Sequence, residues 1–544
     1  MFVRHLLCAA FVLLVATRLG AQPPLPPPLV REFRGAWISP TEGGDWPSRP
    51  GLSIAEQKAE LVALLDRAQA DGLNAILLHV RVAGDALYPS ALAPWSRYLV
   101  GRGVASVPAD YATYDPLALA VAEAHKRGLQ LHAWFNPFRA TAPDDLGAPL
   151  PGHVTRAHPA WVHTYGSSKW IDPGIPAARR AVLDAILDVV NRYDVDGVHL
   201  DDYFYPYREE QRVTRTVRRG KRRVRITRTV TLPFGDDAAW KKYGRARGWK
   251  SRADWRRANV NDFVRTLYQE VKARKPWVLV GISPFGIWRP GHPAGITGLD
   301  AYAETYADAR KWLRAGWLDY LSPQLYWPLG NAQQRFTRLD AWWRGQNVKR
   351  RHIWPGLFTM RVGSREDPWP WEEIAHEIAT LRDVRAGTPE AQGHVHFRMR
   401  TLDLAVSDTT TLGSTLRYLT YAEPALLPAA PWLGARAPAP PTLAAEREPA
   451  VVQQSDADSA TRGATSQLVL NVRAGDSVSV RWWVVQELSV DGRWSTHLFP
   501  AGTGRLELGI DELQGADWIA VRALSRSGVA GPAARYQLSA KRYP

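Results

Sequence analysis

The chain has 544 residues, 45% of them hydrophobic, enough to bury a large core and to build more than one domain. Its single cysteine, Cys8, excludes a disulfide framework and a thiol nucleophile in the body of the chain, and no apolar run is long enough to span a bilayer. One segment, 208–230, holds ten Lys/Arg against two Glu and so supplies half of the net charge of +16, a local cationic patch that argues against a nucleic-acid binder.

At the N-terminus, Arg4 and His5 precede an apolar run over 6–16, and the small residues Gly20 and Ala21 follow. This reads as an export signal over 1–21, so the protein is expected to be exported, periplasmic or secreted, with no membrane span. Cys8 lies inside that segment, too early for a lipid-attachment cysteine. A Pro-rich leader, 22–31, runs into the first domain.

From 32 to 432, short apolar runs alternate with amphipathic helical stretches, the pattern of a parallel sheet with helical crossovers. Strands are predicted at 33–39, 74–82, 129–135, 197–201, 278–283, 318–326, 353–358 and 393–398, with helices at 54–70, 116–126, 177–191 and 255–272. Eight strand–helix units predict an α/β fold, a (β/α)8 TIM-like barrel followed by a small all-β sandwich domain. A doubly wound open sheet is disfavoured, since no Gly-rich phosphate turn follows the first strand.

Strand parity marks the polar positions. In the second strand Ile76, Leu78 and Val80 share one face, and Leu77, His79 and Arg81 the other. In the fourth, His199 and Asp201 oppose Val198 and Leu200. His394, His396 and Arg398 share a parity in the eighth and read as barrel-lining histidines; with no third ligand spaced to match, no metal and no cofactor are expected. Between Arg212 and Val230, Val and Ile alternate with Thr and Arg across a basic turn, a predicted β-hairpin inserted after the fourth strand (208–230). Its expected partner is an anionic envelope polymer.

A Pro/Ala-rich stretch, 433–450, reads as a linker with few contacts across it. Beyond it, 451–544 shows strands and turns without helical period, and 518–532 looks like the late strands of a fibronectin type III module.

Aromatics crowd the predicted strand ends, among them Trp37, Trp134, Tyr203, Phe285, Tyr326 and Trp327. Such rings stack on the C–H faces of sugars, and paired carboxylates beneath them are what glycoside hydrolysis requires. Seven motifs then come in order: EFRGAWI from Glu32, HVRVAGDALYPS from His79, HAWFNPFR from His132, GVHLDDYFYP from Gly197, GISPFGIW from Gly281, WLDYLSPQLYW from Trp317 and WPGL from Trp354. Together they resemble the glycosyl hydrolase-like 10 family of bacterial envelope proteins, over residues 31 to about 430. That family includes a divisome-localised glycosidase that cleaves peptidoglycan strands stripped of their stem peptides.

The resemblance implies a glycosidase acting on peptidoglycan, with an acidic site at the end of the fourth strand, mapped onto Asp201 and Asp202. Asp202 shares the site only if the chain bends there; otherwise Asp85, Glu304 or Asp319 supplies the second carboxylate. Trp37, Arg81, Asp85, Trp134, Asn136, His199, Tyr203, Ser283, Gln324 and Tyr326 are the expected substrate-binding residues. Two alternatives stay open from sequence: a hydrolase of another amino-sugar polymer such as poly-N-acetylglucosamine, and a non-catalytic glycan-binding scaffold.

Overall fold

Eight strands alternate with eight helices along the first four hundred residues. They are β1 (Phe33–Ile38), α1 (Ile54–Ala70), β2 (Ala75–Arg81), α2 (Pro116–Lys126), β3 (Gln130–Phe135), α3 (Pro176–Arg192), β4 (Gly197–Leu200) and α4 (Arg252–Arg274). Then come β5 (Leu279–Ile282), α5 (Ala309–Ala315), β6 (Tyr320–Leu321), α6 (Phe336–Gln346), β7 (His352–Ile353 with Gly356–Leu357), α7 (Trp371–Val384), β8 (Gly393–His396) and α8 (Leu412–Leu419). The computed structural model describes residues 25–41, 43–141, 144, 146–219, 222–384, 392–434, 436–449, 466–489, 491–509 and 516–538; the predicted export signal lies outside them. Among the described residues, no helix is long and apolar enough to cross a membrane.

Every pairing among the eight is parallel, from β1–β2 through β5–β6. β7 closes the ring in two steps. His352 and Ile353 pair with β6, whereas Gly356 and Leu357 pair with β8, which pairs with β1. Pro355 between the two steps has no N–H to give to a ladder, and the strand changes partner there. The (β/α)8 barrel expected from the sequence is therefore closed.

Alternation sorts the strand residues into two layers. Ala36, Ile38, Ile76, Leu78, Leu131, Val198, Val280 and Leu321 join the core under the helices. Phe33, Trp37, Leu77, Trp134, Tyr320 and Trp354 point inward and fill the barrel. Large rings fit there because glycines face them: a Cβ on Gly281 would overlap the Tyr320 ring, and one on Gly197 would sit 2.5 Å from His132 Nδ1. Phe33 stacks on Trp354 with centroids 3.9 Å apart.

The eighth strand corrects one sequence reading. Val395 is the inward residue, so His394 and His396 point outward and both bond the Tyr421 hydroxyl, His396 also meeting Thr359 Oγ1 at 3.0 Å. Burial holds both rings neutral, His396 near pKa 4. Alternation was read in the right period and on the wrong face.

The C-terminal region is a sandwich of a three-stranded sheet, Thr442–Pro449, Ser466–Arg473 and Arg505–Gly509, and a four-stranded sheet, Trp494–Pro500, Val480–Ser489, Ala516–Ser525 and Ala534–Gln537. Leu470, Val472, Trp483, Val485, Ile519 and Val521 form its core. The second half of the stretch read as linker is thus the first strand of this domain. Nor are contacts across it few. Trp482, Val484 and Leu524 pack with Leu426 of the barrel and with Leu29 of the Pro-rich leader. Arg481 reaches Asp196, at 2.8 Å, and Asp194, at 3.1 Å, at the N-terminal end of β4. Arg526 adds a second bond to Asp194 at 2.8 Å.

Asp196 also accepts from the Leu131 N–H at 2.9 Å and meets His125 Nε2 at 2.8 Å. Against the cost of burial, the Arg481 and His125 charges and these bonds hold its carboxyl far below the usual range. Arg481→Met should strand that buried carboxylate and cost about 3–5 kcal/mol, the range for breaking a buried ion pair. The check is a fall in Tm of the full chain. An unchanged Tm would mean that His125 and the Leu131 amide satisfy Asp196 without the second domain.

Candidate active site

The polar positions of the barrel gather at the C-terminal ends of its strands. The β4 ladder stops at Leu200, and the chain turns at once, with Phe204 N–H donating to the Asp202 carbonyl at 2.9 Å. Strict alternation ends with the ladder, and this bend brings Asp202 into the site beside Asp201. Asp201 Oδ2 accepts from the Trp134 indole at 3.2 Å, and Asp202 Oδ2 accepts from the Tyr207 hydroxyl. Gln324 also hydrogen-bonds Asp202 through its side chain. Both carboxylates are buried, at 4% and 3% exposure.

Their electrostatics differ. Burial, and then the neighbouring Asp202 charge, raise Asp201 from an ordinary 3.8 to about 7, against the opposing pull of Arg139 and the Trp134 bond. Burial raises Asp202 too, but the hydrogen bonds from Tyr207 and Gln324 favour its ionised form. Burial raises both acids, and the neighbouring charge falls hardest on Asp201, so the pair favours keeping a proton and Asp201 is the readier to hold it.

Beneath Asp201 lies a hydrogen-bonded floor. Trp37 Nε1 donates to His199 Nε2 at 3.1 Å, and an indole N–H can only donate, so the proton of His199 is on Nδ1. Nδ1 faces the Tyr320 hydroxyl at 3.0 Å, which in turn reaches His132 Nδ1 at 2.8 Å. Ser283 Oγ closes on His199 Nε2 at 3.1 Å. Full burial keeps the His199 ring neutral. Trp37, His199 and Ser283, expected at the substrate, are buried within the barrel and bond one another.

The predicted residues at the mouth fare differently. Tyr203 is half-buried under the Arg139 guanidinium, 4.1 Å from its ring centroid. Gln324 and Tyr326 are half-buried and open to the cleft. Trp134 is buried and stacks on His79 at 3.9 Å, so it positions Asp201 and exposes no sugar platform. The half-exposed rings are instead Tyr207, Phe285 and Trp327 on one wall, in edge contacts of 6.4 and 5.5 Å, and Phe358 and Phe397 around Tyr326 on the other.

The three reserve carboxylates lie elsewhere. Asp319 sits before β6, at the opposite end of the barrel, bonded to Val280 N–H at 2.8 Å and to Lys272 at 2.5 Å. Asp85 ties its own loop through the amides of Val82 and Ala83 and faces a neighbouring cavity of about 400 Å³ with Trp95, Arg97 and His153. Glu304 ends a short helix beside Tyr205 and Tyr306. Asp85 is thus not placed with the pair.

Sequence reasoning passed over His79, Arg139 and Tyr207 as site residues. His79 has the inward parity of β2, a usable signal; Arg139 and Tyr207 lie past their strand ends, where parity says nothing. Four buried polar atoms at the mouth find no hydrogen-bond partner among the described residues: His79 Nε2, Arg81 Nε, Asn136 Nδ2 and Ser322 Oγ. Among the described residues no cluster of His, Cys, Asp or Glu is arranged to hold a metal.

A closed (β/α)8 barrel with two adjacent buried carboxylates at its C-terminal mouth, walled by half-exposed aromatics, suits a glycosidase. Residues 32–371 match the model of the glycosyl hydrolase-like 10 family. The chain belongs to that family. It is 38% identical over 456 residues to glycosyl hydrolase YngK of Bacillus subtilis (strain 168), covering 81% of each chain. Over 391 residues it is 34% identical to glycosyl hydrolase DigH of Escherichia coli (strain K12), covering 67% of this chain and 82% of that one. Among solved structures, the glycoside hydrolase domain of PgaB (BpsB) from Bordetella bronchiseptica aligns over 72% of this chain and 98% of its own, at 14% identity and a TM-score of 0.44.

Asp201 lends stability that is full below its ordinary 3.8 and is lost as pH rises through about 7, because ionisation is unfavourable in the fold. Asp201→Asn removes that titration. Its Tm should therefore exceed that of the parent at pH 8 and lose this advantage at pH 4. Parallel Tm–pH curves for the two proteins would mean that Asp201 is not perturbed.

Proposed function

We propose that the protein cleaves the glycan strands of bacterial peptidoglycan, peptide-free (denuded) strands in particular, by carboxylate acid–base catalysis on Asp201 and Asp202. The observation that carries this reading is the pair itself: two adjacent buried carboxylates, one favouring its proton and the other accepting hydrogen bonds that oppose the effect of burial. Asp201 protonates the glycosidic oxygen as the C–O bond breaks. Asp202 supplies the negative charge that the oxocarbenium-like anomeric carbon demands, in its own attack or in that of the water it activates.

The rest of the mouth suits an amino-sugar polymer. Half-exposed rings on both walls match pyranose faces. Resemblance to a family with a peptidoglycan glycosidase supports the choice of polymer and of peptide-free strands. Export to the periplasm or beyond, where that polymer lies, is part of the same proposal.

Purified sacculi, with and without prior amidase treatment, should be digested and the products weighed, with poly-N-acetylglucosamine alongside. Release of disaccharide-spaced fragments, faster after amidase, is expected. Asp201→Asn should lose ~10²–10⁴-fold in kcat, the usual contribution of a general acid. In the parent, kcat should fall as pH rises through about 7, where Asp201 gives up its proton. Cleavage of poly-N-acetylglucosamine alone would replace the substrate, and an active Asp201→Asn would replace the acid.

A further inference from the structure

The cationic insertion after β4 is a two-stranded antiparallel ribbon, Glu210–Arg219 paired with Arg222–Thr231. Its ten-residue strands extend roughly 30 Å at the usual rise per residue. It is held at its base, where Leu232 N–H donates to the Glu209 carbonyl and Glu209 N–H to the Tyr165 hydroxyl, both at 2.9 Å.

Register sorts its side chains, because residues directly opposite in an antiparallel pair share a face. Arg212 opposes Thr229, Thr214 opposes Thr227, Thr216 opposes Arg225 and Arg218 opposes Arg223, so one face is made of Arg and Thr. The Thr214 and Thr227 hydroxyls meet across it at 2.9 Å. On the other face Val213 opposes Arg228, Arg215 opposes Ile226 and Gln211 opposes Val230, with Val217 in the same row. That face is an aliphatic stripe edged by arginines. Val213, Val217 and Ile226 on it are not buried, and Val230 is 40% exposed.

Charge alone does not account for this pattern. A soluble polyanion is served by the Arg/Thr face and gives the valines nothing to enter. A second copy of the ribbon would bring like charges together. A lone two-stranded ribbon is also marginal in water and is completed by a surface that covers one face. An anionic bilayer offers both things at once: phosphates for the arginines, and an apolar layer just beneath them for the stripe.

We propose that this ribbon docks the protein on an anionic lipid bilayer, with the stripe of Val213, Val217, Ile226 and Val230 seated in the interfacial layer and the arginines on the headgroups. The ribbon starts three residues past Tyr207, which bonds Asp202, so docking holds the cleft beside the membrane. The inference is independent of which glycan the cleft accepts.

The test uses the full chain with vesicles of phosphatidylcholine, with and without phosphatidylglycerol, in a sedimentation assay. Binding to the anionic vesicles alone, weakening as salt rises, is expected. The variant V213T/V217T/I226T/V230T keeps every charge and the β-branched shapes. It should lose about tenfold in vesicle binding, since interfacial affinity follows buried apolar area. A Tm and circular-dichroism spectrum equal to the parent's show that the variant is folded. Should it misfold, Arg215→Gln/Arg228→Gln on the same face provides the second measurement, with the same loss expected. Undiminished vesicle binding by the threonine variant would overturn the proposal in favour of a purely electrostatic site. So would binding of soluble poly(glycerol phosphate) without binding of vesicles.

Discussion

Taking a carboxylate out of water costs several kcal/mol unless charges and hydrogen bonds are supplied in its place, and this protein meets that constraint in two opposite ways on one strand. Asp196 and Asp201 flank β4, five positions apart, and both are buried. At the N-terminal end Asp196 is given Arg481, His125 and a backbone amide, and it stays ionised. At the C-terminal end Asp201 is given a second carboxylate as neighbour, and it favours its proton. One environment compensates the buried charge, and the other leaves it unfavourable.

The two ends of the barrel divide along the same line. The face below β4 is covered by the sandwich domain and by Trp432, whose indole bonds Asp319 at 2.8 Å. The face above it is left with unpartnered donors and half-exposed rings. Between them, the Trp37–His199–Tyr320–His132 chain fills the interior and fixes the ring that lies under Asp201. A hydrogen-bonded floor of this kind holds the side chains above it in register.

The ribbon extends this economy to the surface. Its charges lie outside the barrel, in a segment that adds no core, and its position next to Tyr207 couples whatever it touches to the cleft.

Period-2 alternation in the apolar runs and helical spacing between them determined the barrel, and the run of Asp201, Asp202 and aromatics after Leu200 determined where its chemistry would gather. Those features are local, and a side chain's parity along one strand is written in the sequence. Which face that parity addresses is not local: His394 and His396 keep the predicted period yet point outward, because β8 pairs with β1 and β7 so that Val395 lines the barrel. The exclusion of Asp319, the recruitment of Asp202 by a bend after the last ladder bond, and the capture of Asp196 by an arginine 285 residues away were likewise decided by the tertiary structure. Each depends on partners distant in the chain, and the cost of burying a charge is set by those partners.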